Sequence, residues 1–316
     1  MTVPLALAPS LDEALSTGAL ERLADAVPRD RRDRVDVLQA IYDLHTGPLQ
    51  AVGDRARYQH HPVVAGLKQR LEAGWLRELA AEDVPEEFRE EPDVVVAIRG
   101  MATVERLPRT YRWIADEASW PEVVRFLAME GGPDAGFDDL VAVCQVGLAG
   151  SAKLELAQNY WDEMGNGHLD AVHTNLHEQM VSAIDMPRLA RGDLPVEALE
   201  RTALGGLLAT NRWLQPEMIG ALGMIELQAG PRCRKVVQGF DRLGAPVGAY
   251  RFYAEHADVD PRHGKDWVEK AIAPLVAEDP SWGPRILRGA WWRLVLSLRF
   301  FEAAESLLVP RASHAA

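Results

Sequence analysis

Apolar residues recur at intervals of three and four along most of the chain, the spacing that lines one face of an α-helix, and the alternation of a half-buried strand is nearly absent. The spacing predicts helices over residues 11–26, 35–52, 63–81, 121–130, 138–147, 152–164, 169–184, 196–210, 216–227, 247–257, 267–277 and 284–308. The expected fold class is therefore all-α. Punctuation agrees with these divisions. Ser119-Trp120-Pro121 reads as an N-cap followed by an early proline, Glu130-Gly131-Gly132-Pro133 as a helix stop, and Gly230-Pro231 as a later break. No repeat of about 20 to 50 residues is visible, which leaves a solenoid unsupported. The clearest seam is the Glu-rich, Pro-containing stretch 82–108. It divides residues 1–108, an amino-terminal helical extension packed on the core, from residues 109–316, the helical core itself.

Composition narrows the partners. The chain has 316 residues, 47% hydrophobic and 26% charged, without a low-complexity run, which suits a folded protein with a sizeable core. A formal net charge of −13 argues against nucleic acid, whose phosphates are bound by clustered Lys and Arg. The basic run Arg29-Asp30-Arg31-Arg32-Asp33-Arg34 is interleaved with acids and reads as a solvated helix face. Two cysteines, Cys144 and Cys233, exclude a disulfide framework and read as inert core thiols. No secretory leader pattern and no uncharged apolar run of about 18 residues is found, so a cytoplasmic location without a membrane partner is expected.

Two stretches carry most of the candidate chemistry. One is Trp161-Asp162-Glu163-Met164-Gly165-Asn166-Gly167, running on to His173; the other is His256-Ala257-Asp258-Val259-Asp260-Pro261-Arg262-His263. Imidazole and carboxylate without thiolate suit Fe, Mn or Zn, and several of each on separate helices suit a dinuclear centre. His256, Asp260 and His263 are four and three apart, which puts them on one face of a helix. Pro261 allows a second geometry, in which Asp260 caps a new helix with Pro261 at its first position. Glu163 follows Tyr160 and Leu156 on its face, with Asp162 and Asn159 as polar neighbours. His173 lies ten residues on, a rise of about 15 Å on a straight helix, whereas paired metals sit about 3.5–4 Å apart. The pair can meet only if Gly165-Asn166-Gly167 interrupts the helix.

Lone acids on apolar faces complete the set, because a charge there needs a partner or a metal. Glu130 follows Val123, Phe126 and Leu127, and Glu226 follows Ile219 and Leu222. A single such residue is more often a hydrogen-bonded core group than a ligand, but seven together are harder to explain that way. The candidate metal ligands are Glu130, Glu163, His173, Glu226, His256, Asp260 and His263, with no catalytic residue beyond them. His168 is the main rival to His173, and Glu155 to Glu130. His45, His60, His61 and His177 lack this combination of spacing and partners. Tyr160, Met164, Met224, Phe252 and Tyr253 are candidates for pocket walls or for plain core.

At these positions the chain resembles the heme-oxygenase-like diiron oxidases and oxygenases, the iron-containing redox enzymes, over roughly residues 110–275. In that family an early helix gives a glutamate, a second gives Glu then His, a third gives a glutamate, and a last gives Asp and His, in many members preceded by a further His. The matching positions are Glu130; Glu163 and His173; Glu226; and His256, Asp260 and His263. The resemblance implies a heme-oxygenase-like helical bundle holding two Fe ions that cycle between Fe2+ and Fe3+. It also implies O2 as co-substrate, a peroxo-diferric intermediate and an external electron donor. The additional His256 is similar to the N-oxygenating branch, which takes small amines to hydroxylamine or nitro products. Pro261 within the last motif and the long amino-terminal segment depart from the family pattern.

The favoured reading is thus a non-heme diiron oxygenase that N-oxygenates a small amine. The runner-up on the same scaffold is an oxidative decarboxylase, desaturase or carbon–carbon lyase, which an acid-binding Arg or Lys near the site would favour. A non-catalytic iron-binding helical protein is a reading from another class. It is disfavoured by seven intact ligand positions, whose buried charges cost stability without metal. A heme-degrading enzyme follows from fold alone. A small-molecule substrate and an electron donor are the expected partners, and a homodimer is compatible with the sequence.

Overall fold

The computed structural model describes residues 7–131 and 136–309, and among these no strand occurs. The longer helices are α1 (Leu7–Thr17), α2 (Arg31–Thr46), α3 (Pro62–Ala80), α4 (Val94–Met101), α5 (Arg109–Asp116), α6 (Trp120–Glu130) and α7 (Phe137–Cys144). They continue as α8 (Gly150–Glu163), α9 (His173–Ala183), α10 (Val196–Ala209), α11 (Gln215–Leu243), α12 (Tyr250–Asp266), α13 (Ala273–Glu278) and α14 (Trp282–Leu308). The expected all-α bundle is the observed architecture. Its centre is α11, packed between α12 and α14, with α5 and α10 alongside.

Local chemistry explains most boundaries. Glu122 accepts hydrogen bonds from the backbone N–H of Ser119 at 2.8 Å and from its hydroxyl at 2.6 Å, which anchors the start of α6 where Ser119 was expected to cap it. At the other end α6 stops at Glu130, as expected, whereas Gly132 and Pro133 lie outside the described residues. Gly18 interrupts the first predicted helix, which becomes α1 and a 3-10 turn at Leu20–Leu23. Gly47-Pro48 divides the second, which becomes α2 and a single turn at Leu49–Val52. The seam at 82–108 contains α4, whose apolar run Val94-Val95-Val96-Ala97-Ile98 is shorter than a typical amphipathic period and therefore inconspicuous.

Two prolines lie inside helices, one correcting an expected break and one deciding between the two geometries open at Asp260. The stop at Gly230-Pro231 is absent: α11 runs through Pro231, with apolar and small residues buried on both sides of it. Helix α12 likewise runs through Pro261, so Asp260 lies inside a helix rather than at an N-cap. Proline cannot donate to the carbonyl four residues earlier, here that of Ala257. The guanidinium of Arg234 on α11 donates to that carbonyl instead, at 2.6 Å, so the interruption leaves no unpaired oxygen. A π-helical turn, Trp267–Ile272, then links α12 to α13.

The amino-terminal helices are tied to the rest by ion pairs and hydrogen bonds. Arg31 on α2 bonds to Glu200 and reaches Glu197 at 3.1 Å, both on α10. Lys68 on α3 donates to Asn211 at 3.2 Å, and Asn211 donates to Glu72 at 2.8 Å. No helix among the described residues is long and apolar enough to cross a membrane. Both cysteines are free and buried, and burial pushes the Cys144 thiol up to about 12.

Candidate metal centre

The expected interruption after Glu163 is present. Gly165, Asn166 and Gly167 all take positive φ, at 60°, 53° and 85°, which closes α8 and turns the chain back. A side chain at Gly165 would meet the Ala171 carbonyl carbon at 2.4 Å, so the turn is also too tight for any other residue. Helix α9 then begins at His173, placing its imidazole Nδ1 2.6 Å from Glu163 Oε2.

Helices α11 and α12 supply the opposite wall. A Cβ at Gly264 would lie 3.0 Å from the Glu226 carbonyl oxygen, a measure of how closely the backbones approach. The neighbouring His263 accordingly places Nδ1 3.7 Å from Glu226 Oε2. One turn and two turns earlier, Asp260 and His256 follow on the same side of α12. The rings of His256 and His173 are 4.5 Å apart between centroids.

Two groups of ligand atoms result, each with its members within 4.8 Å of one another: Glu163, His173 and His256, and Glu163, Glu226 and His263. Glu163 belongs to both. Asp260 is 2% exposed and interacts electrostatically with Glu226 and Glu163. Glu130 joins neither group. Its carboxylate accepts the Tyr111 hydroxyl proton and lies 3.8 Å from Arg201 Nη1. His168 is exposed, and Glu155 stands aside with Lys270 at 3.7 Å.

Asp138, in the first turn of α7, is a neighbour of the cluster that sequence reasoning did not weigh. It is half-buried, and its charge acts on His173 while that of Glu163 acts on it. The signal was available: Asp138, Val141 and Cys144 share one helix face, and the latter two are buried. Of the candidate wall residues, Phe252 packs on His256 at 4.5 Å and on His177 at 5.2 Å, and Tyr253 and Met224 are buried.

The electrostatics are those of crowded anions. Burial, and then the nearby Glu163, push the Glu226 carboxyl up to about 8. Asp260 is raised by burial and by Glu226 and Glu163, and Asp138 by burial, Asp139 and Glu163. Burial and the adjacent His173 push His256 down to about 4. Burial opposes protonation of His173 too, but Glu163 outweighs it and raises the pKa. Buried carboxyls facing one another are costly as anions, and a multivalent cation removes that cost.

Hydrogen bonding selects the ligating atoms. His256 Nδ1 contacts the Phe252 carbonyl at 2.7 Å and so carries the proton, leaving Nε2 for the site. Asn159 donates to Glu226 Oε1 at 2.7 Å. His263 Nε2 contacts Asp162 Oδ2 at 2.9 Å. His263 Nδ1 and Asp260 Oδ2 are buried with no hydrogen-bond partner among the described residues, while His173 Nδ1 faces only the Glu163 carboxylate. Buried polar atoms are rarely left so, and two converging on one cluster fit a bound metal ion. Carboxylate and imidazole donors suit iron.

A comparison with curated proteins finds no match. The family described as iron-containing redox enzyme matches residues 124–297, which include α8, α9, α11 and α12 with both ligand groups. By that match, and with a fold and an imidazole–carboxylate cluster that agree with it, the chain belongs to the iron-containing redox enzyme family and is an iron-binding oxidoreductase.

Proposed function

We propose that the protein is a non-heme diiron oxygenase that uses O2 to N-oxygenate a small amine. The observation that carries the two-iron reading is the shared carboxylate: Glu163 belongs to both ligand groups, the geometry of one acid bridging two positions. The proposed ligands are Glu163, His173, Glu226, His256, Asp260 and His263, with Asp138 in the place that the resemblance gives to Glu130.

Iron bound there would supply the electrons that reduce dioxygen. The chain's own residues do the rest. The three imidazoles present nitrogen lone pairs, the carboxylates balance the charge of the metal, and Phe252 packs against the His256 ring. Taking an amine N–H to N–OH consumes O2, two electrons and two protons and releases water, so an external electron donor belongs to the proposal. The His256 imidazole, in reach of Glu163 and His173, is the feature that favours nitrogen as the target. The proposed arrangement of the chain is an extension over 1–108 bracing a core over 109–316.

A second reading is favoured by one observation. Arg232 stands over the rings of Tyr111 and Phe301, at 5.9 and 4.8 Å. A guanidinium so placed suits a carboxylate substrate and hence oxidative decarboxylation, desaturation or carbon–carbon cleavage. Supplying the ferrous-loaded protein with O2, a reductant and panels of amines and of carboxylic acids separates the two. The proposal expects amine-dependent O2 consumption and a product carrying one added oxygen. Consumption stimulated by carboxylic acids alone, with loss of CO2 or of hydrogen, would replace it with the second reading.

A further inference from the structure

Asp162, the residue before the shared carboxylate Glu163, ends in a set of contacts to both of its oxygens. Oδ2 accepts from His263 Nε2 at 2.9 Å and from Arg262 Nη2 at 2.9 Å. Oδ1 accepts from Gln158 Nε2, one turn back on the same helix, at 2.9 Å. The Asp162 side chain is 11% exposed and that of His263 4%, whereas that of Arg262 is 58% exposed. The carboxylate is thus clamped by a side chain of its own helix, and a single imidazole from α12 is seated on it.

From this geometry we infer that Asp162 is the positioning residue of the centre: it fixes which nitrogen of His263 is free to bind metal. A neutral imidazole carries one proton. A carboxylate at Nε2 holds the proton there, so Nδ1 keeps its lone pair. Nδ1 is the nitrogen that lies 3.7 Å from Glu226 and is buried without a hydrogen-bond partner among the described residues. The same contact fixes the ring's rotation and increases the electron donation of the ligating nitrogen. His256 receives its orientation differently, from a backbone carbonyl within its own helix. Asp162 therefore couples α8 to α12, and the Glu163 and His263 sides of the centre are set by consecutive residues.

The inference rests on the metal reading of the cluster, and its test keeps the two apart. Nitrogen-15 NMR of the metal-free protein, with His263→Gln used to assign the resonance, reads the tautomer directly. A proton on Nε2 is expected, and a proton on Nδ1 would overturn the inference. Ferrous affinity is then measured anaerobically for wild type, Asp162→Ala, Asp162→Asn and Arg262→Gln, with helicity checked by circular dichroism. Removing such an outer partner weakens metal binding by about 10–100-fold, and that loss is expected for Asp162→Ala. Asp162→Asn keeps an acceptor and should lose less. Arg262→Gln, which leaves the carboxylate on His263 Nε2, should lose less than Asp162→Ala. If Arg262→Gln falls as far as Asp162→Ala, or if Asp162→Ala binds like wild type, the inference fails. No uptake by wild type would sink the metal reading, and the inference with it.

Discussion

Glu217 and Glu226 lie nine residues apart on α11, and both are buried, at 0% and 4% exposure. Their surroundings are opposite. Glu217 is met by two guanidinium groups, with Arg285 donating at 2.9 and 2.8 Å and Arg288 donating to Oε1. Glu226 faces Glu163 and Asp260, with one amide, Asn159, donating to it. A buried carboxylate with its counter-ions in place explains itself as a strut between α11 and α14. A buried carboxylate surrounded by its own kind does not, because an uncompensated charge in the interior costs several kcal/mol. The contrast on one helix is the physical argument that the second site is built to hold a cation and the first is not.

The largest expected effect tests the shared ligand. Glu163→Ala should lower ferrous binding from about two ions per chain to near zero, since both groups lose a member, whereas Glu130→Ala should leave the ligand groups intact. Elemental analysis after anaerobic loading and desalting reads the difference. Equal loss in both variants would return Glu130 to the centre.

Next come the two acids of α11 in the metal-free protein. Glu217→Gln should destabilise it by about 3 kcal/mol, at the low end for a broken buried pair because both guanidinium groups reach solvent. Glu226→Gln should leave stability below about pH 4.5 unchanged and lessen metal uptake. Denaturant melts of the two variants would break the comparison if both lost stability equally. Gly165→Ala is expected to cost about 1–2 kcal/mol for the left-handed backbone alone, and more from the overlap with Ala171. It should also weaken iron binding, since His173 follows that turn.

A smaller effect is the pH dependence of the metal-free protein. Glu226 is raised from 4.5 to about 8, so the folded state holds a proton that the unfolded chain releases. Its contribution to stability is complete below about pH 4.5 and is lost as pH rises to about 8. His256 is lowered from 6.5 to about 4, so its contribution is present above about pH 6.5 and is lost on acidification toward pH 4. The two oppose each other between about pH 4.5 and 6.5. The melting temperature should therefore fall between about pH 6.5 and 8, and Glu226→Gln should flatten that fall. A rise over this range would contradict the account.

Much of this was legible in the sequence, for identifiable reasons. The i, i+4, i+7 set His256, Asp260 and His263 reads directly as one helix face, and Gly165-Asn166-Gly167 reads as a place where a helix stops. What stayed hidden depends on side chains that arrive from elsewhere. Pro261 reads as a helix boundary until Arg234, from α11, is seen bonded to the Ala257 carbonyl. Glu130 sits on an apolar face as a ligand would, yet that face leads to Tyr111 and Arg201. Asp138 was overlooked because an acid in the first turn of a helix is adequately explained by the helix dipole.

The central claim is that the buried acids and imidazoles around Glu163 form two metal positions. Anaerobic titration of the metal-free wild-type protein with ferrous iron, followed by stoichiometry and thermal stability together, tests it most directly. The account predicts saturation at about two irons per chain and a melting temperature that rises with each addition, because a ligand that binds only the folded state stabilises it. Saturation at one iron, or uptake with no gain in stability, would contradict it.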